Sequence, residues 1–236
     1  MKEKNLIESA LYIVPTPIGN LDDISLRAIK VLKEVDIVAC EDTRRAGQLM
    51  KFLNIAGKKF ISYHEHNERG KSVQIAEYIN QNKSVALISD AGTPGISDPA
   101  YRLINECIKK DLKIFPLPGA TAFVPALLAS GFGSDRFVFL GFPPHKKGRK
   151  TFINDLAQIT ITAILYESPY RIQKLIKEMD DAGMSERKIC IAREITKLHE
   201  EFIRGTVAEC IELLENHNKL KGEFVIVVDA KKTNNN

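Results

Sequence analysis

The 236-residue chain has no closely spaced cysteines. Cys40, Cys107, Cys190 and Cys210 stand far apart, with no CxxC and no Cys/His spacing that fits zinc. Reduced thiols in a cytoplasmic protein are expected, not a disulfide framework. No apolar run reaches transmembrane length. The opening "MKEKNLIESALYIVP" carries charge but no long apolar h-region, so no signal peptide is expected. No GxGxxG follows the first apolar run. "ERGKSVQ" offers Gly70-Lys71-Ser72, but the first glycine of a phosphate loop would fall at Glu65. Both absences argue against the commonest nucleotide folds. No internal repeat or low-complexity segment stands out. The net charge is only +4, which permits a polyanionic partner without demanding one.

What is present is alternation. Short apolar runs at Leu11–Pro15, Asp36–Cys40, Lys58–Tyr63, Ser84–Ser89 and Leu112–Pro118 read as strands, each followed by or feeding a helix. The stretch Asp23–Val35 has apolar residues at Ile24, Ala28, Leu32 and Val35, a helical spacing, with Asp23 as its expected cap. This pattern predicts an α/β domain with a mostly parallel sheet flanked by helices. It ends at the "PLPG" hinge, giving an N-terminal domain 1–118 and a C-terminal domain 119–236. The second half reads as mixed α/β. Strands are predicted at Arg136–Phe142, Thr162–Glu167, Lys188–Glu194, Glu200–Thr206 and Gly222–Asp229, the close pair Lys188–Glu194 and Glu200–Thr206 antiparallel. A helix over "RIQKLIKEMDDAG" stops at Gly183. Residues 231–236 read as a polar, disordered tail.

The loops at the carboxyl ends of the first five strands carry the candidates, because ligands of open α/β sheets bind there. In "PTPIGNLDDIS", Pro15 and Pro17 stiffen the chain and Gly19 lets a ligand approach the backbone; the competing reading is a plain connector. In "SDAGTPGISDP", Gly92 and Gly95 lack Cβ atoms and Pro94 fixes a dihedral, so Asp90, Ala91, Gly92, Thr93 and Pro94 read as a backbone-lined cradle. Asp98, before Pro99, reads as a helix cap, which leaves Asp90 as the ligand-side aspartate. In "PLPGATA", Thr121 either caps a helix or offers its hydroxyl to a ligand. "ACEDTRR" (Glu41, Asp42, Arg44, Arg45) and "SYHEHNE" (His64, His66) are solvated turns or cleft linings. No further ligand set accompanies the two histidines, so no metal is expected. "PPHKKGRK" places Lys146, Lys147, Arg149 and Lys150 in one short loop, either solvated or on phosphates.

Taken together, "LYIVPTPIGNLDDIS", "DIVACEDTR", "SDAGTPGISDP", "FLGFPP", "YESPYR", "AREITKLHEE" and "KGEFVIVV" resemble the ribosomal RNA small subunit methyltransferase I family of the tetrapyrrole methylase superfamily. The resemblance runs from about Leu11 to Val228. It implies the two-domain tetrapyrrole methylase fold, with S-adenosylmethionine in the cleft between the domains. It further implies 2′-O-methylation of a cytidine ribose in the decoding region of 16S ribosomal RNA, by a dimer that uses no metal for the transfer. Two positions depart from the family pattern. Tyr170 replaces the histidine of "YESPHR", and "PGATA" replaces "PGPSA", with Thr121 keeping the hydroxyl.

Methyl transfer from a sulfonium needs mainly proximity and orientation. The cradle Asp90–Pro94, with Thr121 and Ala122, would hold the cofactor, and Tyr166 would close over it. The acceptor hydroxyl must lose its proton, which makes Glu41, Asp42, His64, Glu167, Lys197 and Glu200 candidate bases. Arg44 could hold a phosphate bidentately, and Arg45 and the basic loop would add RNA contacts. Two other readings stay open: a methylase of a small tetrapyrrole-like molecule, and an RNA-binding module without catalysis.

Overall fold

The first three central strands are apolar at every position, and this dictates their place. Such strands are stable only when both faces are covered. The computed structural model describes residues 7–215 and 221–231. It divides into two compact units, Met1–Thr121 and Ala122–Asn236, a division three residues beyond the Pro118 boundary read from the sequence. Residues 232–236 of the expected tail lie outside the described residues.

The first unit holds strands β1 (Leu11–Ile13), β2 (Ile37–Cys40), β3 (Lys59–Ser62), β4 (Val85–Leu87) and β5 (Ile114–Pro116). They form one wholly parallel sheet in the order β3-β2-β4-β1-β5. Helices α1 (Leu26–Glu34), α2 (Thr43–Phe52), α3 (Glu68–Asn80) and α4 (Tyr101–Lys109) connect them. Successive side chains point to opposite faces. Leu11, Ile13, Ile37, Ala39, Val85 and Leu87 therefore join one core, and Tyr12, Val38, Cys40 and Ala86 the other. Each fully buried Leu or Ile contributes about 1.5–3 kcal/mol over its exposed state.

The cap of α1 is not Asp23. Asp22 and Asp23 lie in a preceding 3₁₀ turn capped by Asn20, whose Oδ1 accepts the Asp22 N–H at 3.0 Å, and Ser25 accepts the Ala28 N–H at 3.0 Å.

The second unit holds β6 (Phe137–Phe139), β7 (Thr162–Glu167), β8 (Lys188–Arg193), β9 (Glu201–Thr206) and β10 (Phe224–Val228) in the order β6-β7-β10-β8-β9. Only β6 and β7 pair in parallel; β8 and β9 are antiparallel, as their spacing predicts. α7 (Ile172–Met179) runs into a π-helical segment, Asp180–Met184, where Gly183 takes φ +78°. α5 (Phe123–Ser130) is the helix that the Thr121 reading offered, while α6 (Arg149–Gln158) and α8 (Val207–Glu215) were not read from the sequence. α5 is apolar nearly throughout and packs on the sheet through Ala126 and Leu127.

All four cysteines are free and buried. Burial pushes the Cys107 and Cys210 thiols up to about 11 and raises Cys190. Burial, then the carboxylates of Asp90, Asp42 and Glu41, pushes Cys40 up to about 12. No helix among the described residues is long and apolar enough to cross a membrane.

Candidate functional site

The order β3-β2-β4-β1-β5 contains a switch point. The chain leaves β1 toward β2 on one side and leaves β4 toward β5 on the other, so the loops after neighbouring β1 and β4 diverge. At that divergence the two loops are clasped. Thr16 N–H donates to Gly92 O at 2.9 Å, Gly92 N–H donates to Thr16 O at 3.0 Å, and Thr16 Oγ1 donates to Ser89 O at 3.2 Å. The loop after β5 joins them through Thr93 Oγ1, which donates to Ala120 O at 2.8 Å. Gly119 sits so close to Pro15 that a Cβ there would lie 2.4 Å from Pro15 Cβ. Three loops thus form one shelf.

The shelf corrects the reading of its glycines. Gly92 is buried, and both its backbone groups are committed to Thr16. It is the clasp, and its φ of +82° is one that other residues rarely adopt. Pro15 and Pro94 are likewise buried beneath the surface. Among the exposed positions of the shelf are Gly19, Asp90, Ala91, Gly95 and Gly119. Thr121 is not a helix cap: Ala122 occupies that position of α5, without a side-chain cap bond. Gly119 escaped the sequence reading because its constraint comes from Pro15, over a hundred residues earlier.

The cap reading of Asp98 fails. α4 starts at Tyr101, after an Ala100 cap with no side-chain bond, so Asp98 caps nothing. Asp90 is engaged: Oδ1 accepts the Asp42 N–H at 3.2 Å and Oδ2 pairs with Arg45 at 3.2 Å. Because β2 lies beside β4, Glu41 comes to the same place and accepts the Asp90 N–H. Burial, then Asp90, raises the Glu41 carboxyl. Burial and the neighbouring Glu41 push Asp98 up to about 7.

Asp98 therefore keeps a proton in the folded chain that an unfolded chain releases near its ordinary 3.8. Between these values the unfolded state binds fewer protons, so stability falls as pH rises and levels off above about 7. Asp98→Asn should remove this slope. Its melting temperature should exceed the wild type at pH 8 and match it near pH 4; equal melting at both pH values would refute the shift.

Several candidate bases are otherwise occupied. Asp42 caps α2 and receives two bonds from the Arg44 guanidinium, at 3.1 and 2.7 Å, which hold its carboxyl well below the usual range. Arg44 is exposed but shares its charge with Asp42. Burial disfavours the Lys197 ammonium, but hydrogen bonds to Glu194 (2.9 Å) and Glu223 (3.0 Å) outweigh it and raise the group, so it is no base. Glu200 accepts the Thr196 N–H at 2.7 Å on the surface. His64 Nε2 lies 3.1 Å from Asn67 Nδ2, while its buried Nδ1 has no partner.

Glu167 is enclosed within the second unit. Its side chain is wholly buried and accepts from Ser168 N–H and Arg171 Nε, both at 2.8 Å, with Arg149 Nη1 at 3.5 Å. Arg149 must leave the list of RNA-contacting cations, because its side chain is 6% exposed and held by Glu178 at 2.7 Å. Lys146, Lys147 and Lys150 stay exposed. Tyr166 is half-buried among Phe139 and Phe142, with ring centroids at 4.9 and 5.5 Å.

The profile of the Tetrapyrrole (Corrin/Porphyrin) Methylases matches residues 10–211. The chain is 46% identical to ribosomal RNA small subunit methyltransferase I of Hydrogenobaculum sp., over 94% of this chain and 96% of that one. It is 45% identical to the Haemophilus influenzae protein of that name, over 96% and 81%. Among solved structures it resembles diphthine synthase (TM-score 0.70, 16% identity, 94% of this chain and 90% of that one). It also resembles cobalt precorrin-4 methyltransferase (TM-score 0.68, 18% identity, 94% and 95%). These last likenesses establish the fold; the closer relatives, matched along nearly the whole chain, establish more. The chain belongs to the ribosomal RNA small subunit methyltransferase I family, within the tetrapyrrole methylases.

Proposed function

We propose that the chain transfers a methyl group from S-adenosylmethionine to the 2′-oxygen of a cytidine ribose in the decoding region of 16S ribosomal RNA. The observation that carries this reading is the clasped shelf at the switch point, in a chain whose relatives of similar length are named as methyltransferases of that RNA. The residues fit the cofactor. Ala91, Gly95 and Gly119 are exposed and small, so a polar ligand can meet backbone groups directly, and no Cβ fits between Gly119 and Pro15.

Bound S-adenosylmethionine supplies a sulfonium methyl that is already electrophilic. The chain's own task is to bind, orient and manage one proton. The shelf is held by bonds among its own loops, so little ordering is needed on binding. One carboxylate of the Glu41 and Asp98 pair takes the single proton that the ribose hydroxyl loses as the oxygen–methyl bond forms and the donor's sulfur–methyl bond breaks. Burial raises the proton affinity of both, and a base is most useful when its pKa lies near working pH. Lys146, Lys147 and Lys150 contribute sequence-independent attraction to phosphates. The protein works as a cytoplasmic homodimer, a state that sedimentation would check.

The test is transfer of labelled methyl to small ribosomal subunits and to free 16S RNA, followed by mapping of the modified nucleotide. Label on a ribose oxygen of a decoding-region cytidine is expected. Label on a base, or none on RNA despite bound cofactor, would overturn the reading. Transfer to a porphyrinoid and not to RNA would replace it with the small-molecule alternative.

A further inference from the structure

Tyr170 is 95% exposed, so both faces of its ring are open to a partner. It lies in a turn closed by Arg171 N–H donating to Ser168 O at 3.0 Å. Arg171 Nη1 also donates to His145 Nδ1 at 2.9 Å, which ties this turn to the basic loop before α6. His145, Lys146, Lys150 and Lys174 line a single depression with Arg149.

One buried carboxylate roots both pieces. Glu167 accepts from Ser168 and Arg171 of the tyrosine turn, and it pairs with Arg149, whose Nη1 donates to Pro144 O of the basic loop at 3.1 Å. The turn that carries the exposed ring and the loop that carries the lysines are therefore tied to one carboxylate whose side chain is wholly buried. Glu178 and Asp181 add negative charge at the depression, but Lys146, Arg149, Lys150 and Lys174 outnumber these two carboxylates.

We propose that this surface of the second unit is a platform for single-stranded RNA, with a nucleobase stacked on Tyr170 and neighbouring phosphates on Lys146 and Lys147. An exposed ring has a partner only where a base is unstacked, which excludes regular duplex. Any base offers a π-face, so the contact is indifferent to sequence, and the lysines act as point charges on the backbone. The inference rests on the reading of the chain as an RNA enzyme, and it names where an unpaired strand lies.

The test is fluorescence anisotropy with a labelled single-stranded oligoribonucleotide and its duplex, on the full chain. Tyr170→Ala should weaken single-strand binding roughly tenfold, and Tyr170→Phe should keep it, since stacking needs the ring and not the hydroxyl. The double variant Lys146→Ala/Lys147→Ala should lower the slope of log affinity against log salt by about 1–2. Melting and S-adenosylmethionine binding should be unchanged in all three. Unaltered affinity in Tyr170→Ala, equal loss in Tyr170→Phe, or equal binding of duplex and single strand would each overturn the proposal. Methyl transfer to 16S RNA is read separately on the wild type. If transfer fails while the Tyr170 effect holds, the function is wrong and the platform stands; if transfer succeeds and Tyr170→Ala binds normally, the reverse is true.

Discussion

Gly119→Val should weaken S-adenosylmethionine binding roughly 5- to 150-fold while the chain still folds. Any Cβ at this position falls 2.4 Å from Pro15 Cβ and 2.7 Å from Pro15 Cγ. Pro15 is a rigid, buried ring that cannot swing aside, and the next residue, Thr16, is the one that clasps Gly92. A shift of Pro15 therefore passes along the whole shelf. Overpacking of this kind costs about 1–3 kcal/mol, and if the cost falls on binding, each 1.4 kcal/mol is about a factor of ten. The fold should survive because Gly119 is exposed and belongs to neither core of the first unit. Gly47→Ala is the control, since a Cβ there meets nothing within 4 Å. Calorimetry reads the result, and wild-type cofactor affinity in Gly119→Val would remove the shelf from the cofactor site.

Glu167→Ala should cost about 3–5 kcal/mol of stability, the range for breaking a buried ion pair from one side. For a unit of this size that is a fall in melting temperature of roughly 10–20 °C. Arg149 would keep Glu178 and the Pro144 carbonyl, but its buried Nη2 already lacks a partner, and the Ser168 N–H and Arg171 Nε would lose theirs. Glu167→Gln should lose less, because the amide oxygen can still accept from Ser168. This pattern separates the structural role from the sequence expectation that Glu167 is a base. A base would lose rate at unchanged melting; an anchor loses melting first. Thermal denaturation of both variants beside their transfer rates decides it.

The difference between what was legible in the sequence and what was not follows from distance along the chain. The strands were legible because Leu11–Ile13, Ile37–Cys40 and Val85–Leu87 are apolar on both faces, a local property. The α6 helix was not, although Ile153, Leu156 and Ala157 keep a helical spacing, because its start lies in the basic stretch read as a loop, where Arg149 is in fact buried. The shelf's location was legible, since strand ends carry it. The roles within it were not. Asp98 looks like a cap when only Pro99 and the residues after it are read. Its neighbour Glu41 arrives through the pairing of β2 with β4, which no local spacing announces. Arg149 was misread for the same reason: a charged residue in a loop-like stretch looks solvated until its distant partners, Glu167 and Glu178, are known.

The four buried thiols give the chain a built-in reporter. With pKa values of about 11 for Cys107 and Cys210 and about 12 for Cys40, the reactive thiolate near neutral pH is on the order of one molecule in ten thousand or fewer. An alkylating reagent or a mild oxidant finds almost nothing to attack until a unit opens. Cys40 and Cys107 lie in the first unit, Cys190 and Cys210 in the second. The order in which the four are labelled thus records which half of the chain opens first, and a single cysteine placed on the surface would carry a dye with no need to remove the native ones.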